Sequence, residues 1–131
     1  MRTIIVTAAI IESNGTFLVT RRPTGAHLED CWEFPGGKCE PGEALATCLR
    51  RELHEELAID AEIGDEVLVT THEYADRQVI LHFMECRIAG QPNPQEGQEM
   101  RWVARAELAS LRFPPADEEL IQRLTRQTAR R

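Results

Sequence analysis

Glu52, Glu55 and Glu56 carry the first chemical signal in the sequence. On a helix, spacings of i, i+3 and i+4 bring their carboxylates within roughly a 100° arc on one side. Like charges so placed disfavour a helix by roughly 0.2–0.5 kcal/mol per pair, and Arg51, four residues before Glu55, offsets part of that. A hard divalent cation, Mg²⁺ or Mn²⁺, takes oxygen ligands and bridges carboxylates to a substrate's phosphates. Such an ion polarises a phosphoryl oxygen and lowers the pKa of a bound water, whose proton a nearby carboxylate can accept. A solvated charged helix face is the commoner origin of three such glutamates taken alone.

The elements around them follow from periodicity. Ala46, Leu49, Leu53 and Leu57 recur at i, i+3, i+7 and i+11, which predicts a helix over Glu43 to Leu57, entered through Pro41-Gly42. Upstream, Thr3 to Ile11 reads as a largely buried strand, Asn14-Gly15 as a hairpin turn and Thr16 to Arg21 as a second strand. Arg22 to Asp30 is a polar loop. Trp32 to Phe34 is a short strand that Pro35-Gly36-Gly37 breaks. Downstream, Glu66 to Glu73 and Gln78 to Ile88 predict two strands around Ala75-Asp76-Arg77. Gly90 to Glu99 is a loop, Met100 to Val103 a short strand, and Asp117 to about Gln127 a closing helix. The class is α/β or α+β.

Composition bounds the function. A chain of 131 residues with 42% hydrophobic and 28% charged residues suits one domain over 1–131. Its longest apolar-rich stretch, Thr3 to Ile11, falls short of the ~18–20 residues of a membrane span, and no basic segment or cleavage site precedes it. The expectation is an unprocessed, soluble, cytoplasmic protein. A net charge of −7 disfavours nucleic-acid polymers and anionic membranes as partners. Between Glu29 and Glu66 twelve Asp and Glu stand against three basic residues, so this segment is more acidic than the whole chain. Cys31, Cys39, Cys48 and Cys86 form no CxxC pair and no spacing to histidine that makes a zinc site, so reduced thiols are expected.

Reading on from Gly37, the chain runs Gly37-x5-Glu43-x7-Arg51-Glu52-Leu53-x-Glu55-Glu56-Leu57-Ala58-Ile59. This resembles the signature of the Nudix hydrolase family, G-x5-E-x7-R-E-U-x-E-E-x-G-U with U apolar. Ala58 alone departs, standing where the family has glycine at the end of the helix. Trp32 to Lys38, Arg21-Arg22, His27, Asp76-Arg77, Glu96-Gly97-Gln98 and Phe113 to Asp117 are similar to segments of the MutT-type branch. The resemblance implies a Nudix fold, with a mixed β-sheet sandwiched between helices. It also implies hydrolysis of nucleoside triphosphates to a monophosphate and pyrophosphate, with oxidised purines such as 8-oxo-dGTP first among substrates.

By the same resemblance Mg²⁺, with Mn²⁺ as substitute, is held by Glu52, Glu55, Glu56 and the backbone carbonyl of Gly36. Glu52 is the first candidate base. Glu96, in a Pro/Gly-bounded loop, is the second, or a ligand that arrives only with substrate; Arg51 completes the catalytic set. Arg22 and His27 would meet phosphate or sugar, and Glu33, Phe34, Pro35, Gly36 and Lys38 would line the substrate site, although a Phe before Pro-Gly-Gly is often simply core. Arg77 would close over the base from its loop.

Asp117 stands where MutT-type enzymes have an asparagine. An ionised carboxylate only accepts hydrogen bonds, which suits a cytosine amino group better than the O6 of oxidised guanine. A helix N-cap after Pro-Pro-Ala is the other reading of the same residue. CTP or modified-pyrimidine hydrolysis, 5-methyl-dCTP for example, is therefore the alternative. A non-catalytic nucleotide sensor is a further one, against which the intact Arg51, Glu52, Glu55 and Glu56 stand. The partner is a small nucleoside triphosphate, and the expected assembly is a monomer or weak homodimer.

Overall fold

A chain whose strands are apolar on both faces needs cover on both, and α1 (Leu45–Leu57) and α2 (Glu118–Ala129) provide it. The computed structural model describes residues 2–21, 23, 25 and 30–129, with side chains described through 126. The strands are β1 (Arg2–Ile10), β2 (Glu12–Ser13), β3 (Thr16–Arg21), β4 (Trp32–Glu33), β5 (Gly36–Lys38), β6 (Asp60–Glu73), β7 (Arg77–Ala89) and β8 (Glu99–Ala104). One sheet has the order β5-β1-β7-β6, with β1 parallel to β7 and the other pairs antiparallel. In the second sheet β3 is central, pairing β8 along one edge and β2 and β4 along the other.

The two-residue period of a strand sorts the apolar residues between two cores. Ala8, Ile10, Phe17, Val19, Leu81 and Phe83 face Leu120, Ile121 and Leu124 of α2. Ala9, Ile11, Leu18, Met84 and Cys86 face Leu49, Leu53 and Leu57 of α1. This double burial is why β1 reads as a continuous apolar run rather than as an alternating one. Among the described residues no helix is long and apolar enough to cross a membrane.

Several boundaries move from the expected ones. Pro35-Gly36-Gly37 does more than break a strand, because Gly36 and Gly37 pair with Ala8 and Thr7 as part of β5. A Cβ on Gly36 would stand 1.9 Å from the Thr7 carbonyl oxygen, so only glycine lets β5 lie there. The helix starts at Leu45 instead of Glu43, and Ala46 of the expected stripe is only partly buried. Residues 40–43 form a turn in which Glu43 N–H donates to the Glu40 carbonyl (3.0 Å), with Gly42 at φ 76° after Pro41. β6 begins six residues earlier than expected, its alternation hidden by irregular register between Ile63 and Leu68. Arg105–Ser110 is a 3-10 helix that no periodicity in these residues predicts. Asp117 ends a 3-10 turn, Pro115–Asp117, and α2 starts at Glu118. Most of the expected loop from Arg22 to Asp30, with Arg22 and His27, lies outside the described residues.

Ala58, the motif's departure, closes α1 in the left-handed region at φ 54°, ψ 39°, its N–H donating to the His54 carbonyl (3.0 Å). Glycine has no Cβ to strain there, whereas alanine costs about 1 kcal/mol. Ala58→Gly is expected to raise Tm by a few degrees in thermal denaturation. An unchanged or lower Tm would mean that the turn is not held left-handed.

Candidate active site

α1 positions Arg51, Glu52, Glu55 and Glu56 because its other face is committed to the core through Leu49, Leu53 and Leu57. Arg51 organises the exposed face. Its Nε and Nη2 donate to the two carboxylate oxygens of Glu43 at 2.8 and 2.9 Å, and Nη2 also donates to the Lys38 carbonyl at 3.1 Å. Its Nη1 reaches Glu52 Oε1 and Glu55 Oε2, each at 3.3 Å. These hydrogen bonds from Arg51, with one from the Glu40 backbone, hold the Glu43 carboxyl down at about 2. Glu43 in turn raises the Arg51 guanidinium above its ordinary value.

Glu52 and Glu56 go the other way. Burial pushes Glu52 up, with the charges of Glu55 and Glu96 adding to it against Arg51. Burial pushes Glu56 up to about 9, helped by the like charges of Glu52, Glu33 and Glu96. Among the described residues the buried Oε2 of Glu56 has no hydrogen-bond partner. A buried carboxylate oxygen without a donor, beside further carboxylates, is a site that lacks positive charge. A hard divalent ion supplies that charge, so the residues present fit one.

Gly37 shapes the seat of Glu52. A Cβ there would lie 2.4 Å from the Glu52 carboxyl carbon and 2.4 Å from Oε2, so the carboxylate rests against bare backbone. The loop after β7 completes the face. Asn93 N–H donates to the Leu57 carbonyl, Gln95 N–H to the Glu56 carbonyl (both 2.8 Å), and Gln98 Nε2 to the Glu56 carbonyl at 3.2 Å. These bonds satisfy carbonyls that the helix end leaves open. They also keep Glu96 close enough to raise both Glu52 and Glu56. Glu96, the second candidate base or else a ligand arriving with substrate, stands on a loop docked on the helix end.

A cleft of about 580 Å³ adjoins this face, lined by Glu33, Phe34, Gly36, Lys38, Arg77 and Asp117 of the expected residues. Pro35 is not on its wall: the residue is buried and its carbonyl accepts the Ala9 N–H at 2.8 Å. Phe34 is both core and wall, 4% exposed, stacked on Phe113 at 5.4 Å and edge-on to Phe83 at 6.2 Å. Arg77 belongs to β7 instead of a loop, its guanidinium 4.9 Å from the centre of the Tyr74 ring. Asp117 is 5% exposed, and Thr70 Oγ1 of β6 donates to the Ala116 carbonyl beside it at 3.4 Å.

Sequence reasoning did not single out three participants. Glu43 was visible as a motif position, but its spacing of eight from Arg51 crosses the helix start and hides the pairing. Tyr74, the only tyrosine, stood three residues before Arg77. Gly37 was visible as the first position of the motif, but nothing in that position showed that its bare backbone seats Glu52.

A family model described as the NUDIX domain matches residues 6–123. Among characterised relatives, CTP pyrophosphohydrolase of Escherichia coli is 37% identical over 93% of this chain and 91% of that protein. The 8-oxo-dGTP diphosphatase of the same organism is 36% identical over 93% of this chain and 95% of that protein. Among solved structures, the E. coli ORF135 protein superposes with a TM-score of 0.88 at 36% identity, covering all of this chain and 94% of that one.

Two outcomes follow from this geometry. Glu56 holds its proton up to about 9 in the folded, metal-free protein against 4.5 for an unperturbed glutamate. Between those values the native state binds a proton that the unfolded chain releases, so its stability falls as pH rises through the window. Tm of the metal-free protein is expected to drop between about pH 6 and about pH 9. Glu56→Gln should flatten that slope; an equal slope in the variant would refute the assignment. Gly37→Ala should leave Tm nearly unchanged, since only the flexible end of Glu52 must move, yet weaken Mn²⁺ binding by about tenfold or more. Electron paramagnetic resonance titration reads the affinity, and wild-type affinity would show that the seat does not matter.

Proposed function

The chain belongs to the Nudix domain family, and from that premise we propose a Mg²⁺-dependent nucleoside triphosphate pyrophosphohydrolase that releases nucleoside monophosphate and pyrophosphate. Family membership carries the divalent-metal requirement. The observation that carries the proposal is the unpartnered, buried Glu56 oxygen within a carboxylate face that borders the cleft. A triphosphate with about four negative charges would be repelled by that face unless a cation inverted the local field.

Glu52, Glu55, Glu56 and the Gly36 carbonyl would hold Mg²⁺, with Glu96 beside them. When bound, the ion supplies charge to the phosphates and acidifies a water. The other work belongs to the chain. Arg51 keeps Glu52 and Glu55 in place while Glu43 keeps Arg51 in place. Glu52, whose carboxyl burial raises above the usual glutamate range, would accept the proton of the water that attacks the β-phosphorus. Lys38, on the cleft wall, would meet the phosphates, and Phe34, Arg77 and Asp117 on the same wall would meet the base. Four unpaired thiols support a reducing cytoplasm as its compartment.

Two readings of the base stand. Oxidised guanine is first, supported by the resemblance over nearly the whole chain. Cytosine is second, supported by Asp117, a buried acceptor on the cleft wall, and by the relative that hydrolyses CTP.

A panel of canonical, oxidised and methylated nucleoside triphosphates with Mg²⁺ tests the assignment, scored for monophosphate and pyrophosphate. In ¹⁸O-water the label is expected in pyrophosphate, and label in the monophosphate would move the attack to the α-phosphorus. If Asp117 reads the base, Asp117→Asn keeps or improves kcat/KM for oxidised guanine and lowers it for cytosine substrates. An unchanged ratio would remove Asp117 from base recognition. No hydrolysis of any triphosphate would overturn the proposal.

A further inference from the structure

Cys39, Glu43 and Cys48 offer three ligand atoms that all lie within 4.8 Å of one another. Cys39 follows β5 directly, Cys48 sits in the first turn of α1, and the turn at Pro41-Gly42 folds Glu43 between them. Cys48 is fully buried, with Sγ 3.3 Å from Thr7 Oγ1 and 3.8 Å from the Gly37 carbonyl oxygen. Cys39 is half-buried and, with Glu43, lines a surface cavity of about 660 Å³, so the cluster opens to solvent on one side.

We propose that these three residues form a second metal site, distinct from the carboxylate face, which takes Zn²⁺ through two thiolates and one carboxylate oxygen. Two sulfurs and one oxygen leave a fourth tetrahedral position, and the cavity supplies water to fill it. The donor set selects a thiophilic ion, whereas Mg²⁺ prefers oxygen alone and stays with the glutamates. Burial, a hydrogen bond with Cys48 and neighbouring negative charge push the Cys39 thiol up to about 12. A thiol so rarely ionised is a poor target for oxidants, which attack thiolate, whereas a metal ion displaces the proton directly. As Zn²⁺ enters, two Zn–S bonds form, two thiol protons leave to solvent, and one Glu43 oxygen gives up its hydrogen bond from Arg51.

That last exchange reaches the carboxylate face. Arg51 is held by both Glu43 oxygens and itself reaches Glu52 and Glu55. Losing one of its two bonds to Glu43 loosens that grip, so Zn²⁺ occupancy lowers Mg²⁺-supported turnover. This coupling rests on the hydrolase reading; the metal site does not.

Titration of the full chain with Co²⁺, followed by optical absorption, tests the site without using activity. Thiolate ligation gives sulfur-to-cobalt charge transfer in the near ultraviolet, which binding to carboxylates alone does not. The band is expected to saturate with one equivalent and to persist in excess Mg²⁺. Cys39→Ser, at a half-buried position, should fold normally, keep its Mg²⁺-supported turnover, abolish the band and weaken Zn²⁺ binding by about tenfold or more. Cys48→Ala is the second control. Absence of the band, or its survival in Cys39→Ser, would overturn the site. Equal Zn²⁺ inhibition of wild type and Cys39→Ser would overturn the coupling through Arg51. Absence of hydrolysis in Mg²⁺ alone would overturn the hydrolase reading, with the cobalt band unaffected.

Discussion

The guanidinium of Arg51 is the interaction on which the site depends. It joins three segments that the chain brings from different places: the end of β5 through the Lys38 carbonyl, the turn before the helix through Glu43, and the helix face through Glu52 and Glu55. A planar fork with five donors can do this, whereas a lysine, with one point charge, cannot hold two oxygens of one carboxylate in a plane and still reach a carbonyl. The bond to Glu43 also consumes one acid of the cluster as a structural partner. Glu52, Glu55 and Glu56 are thereby left under-neutralised, and their remaining repulsion is what a divalent ion relieves.

The same segment shows how close packing fixes residue type near that charge. β5 lies against β1 only because Gly36 has no side chain to strike the Thr7 carbonyl, and Glu52 sits low because Gly37 has none to displace it. The helix end is finished by chain from far along the sequence, since the Glu56 and Leu57 carbonyls accept from Asn93, Gln95 and Gln98. A loop that caps a helix in this way is held by those bonds, and Glu96 within it adds its charge to that of the other acids. The cleft is divided accordingly: the glycine segment and the acids border one part, and the aromatic and acidic side chains of Phe34, Tyr74 and Asp117 line the rest.

By itself the sequence determined the helix, its apolar stripe and the acids on its other face, because i, i+3 and i+4 spacings are local and the helix repeats them faithfully. It also determined β1, β3 and β7 to within a residue or two, and, through the motif, the family. It did not reveal β6 from its start, where irregular register broke the alternation, nor the 3-10 helix at Arg105–Ser110, which has too few residues to show a period. Only the tertiary structure decided that Pro35 faces the backbone of β1, that Phe34 is core as well as wall, and that Arg77 lies over Tyr74. It alone decided that Cys39 and Cys48, nine positions apart and without a recognised metal spacing, meet across a turn beside Glu43. The pKa of Glu56 belongs to the same category. Desolvation and the charges of Glu33 and Glu96 are effects of space, and those residues lie 23 positions before Glu56 and 40 after it in the chain. Local spacing can place a carboxylate on a helix face, but what surrounds that face is set by chain segments that no local pattern connects.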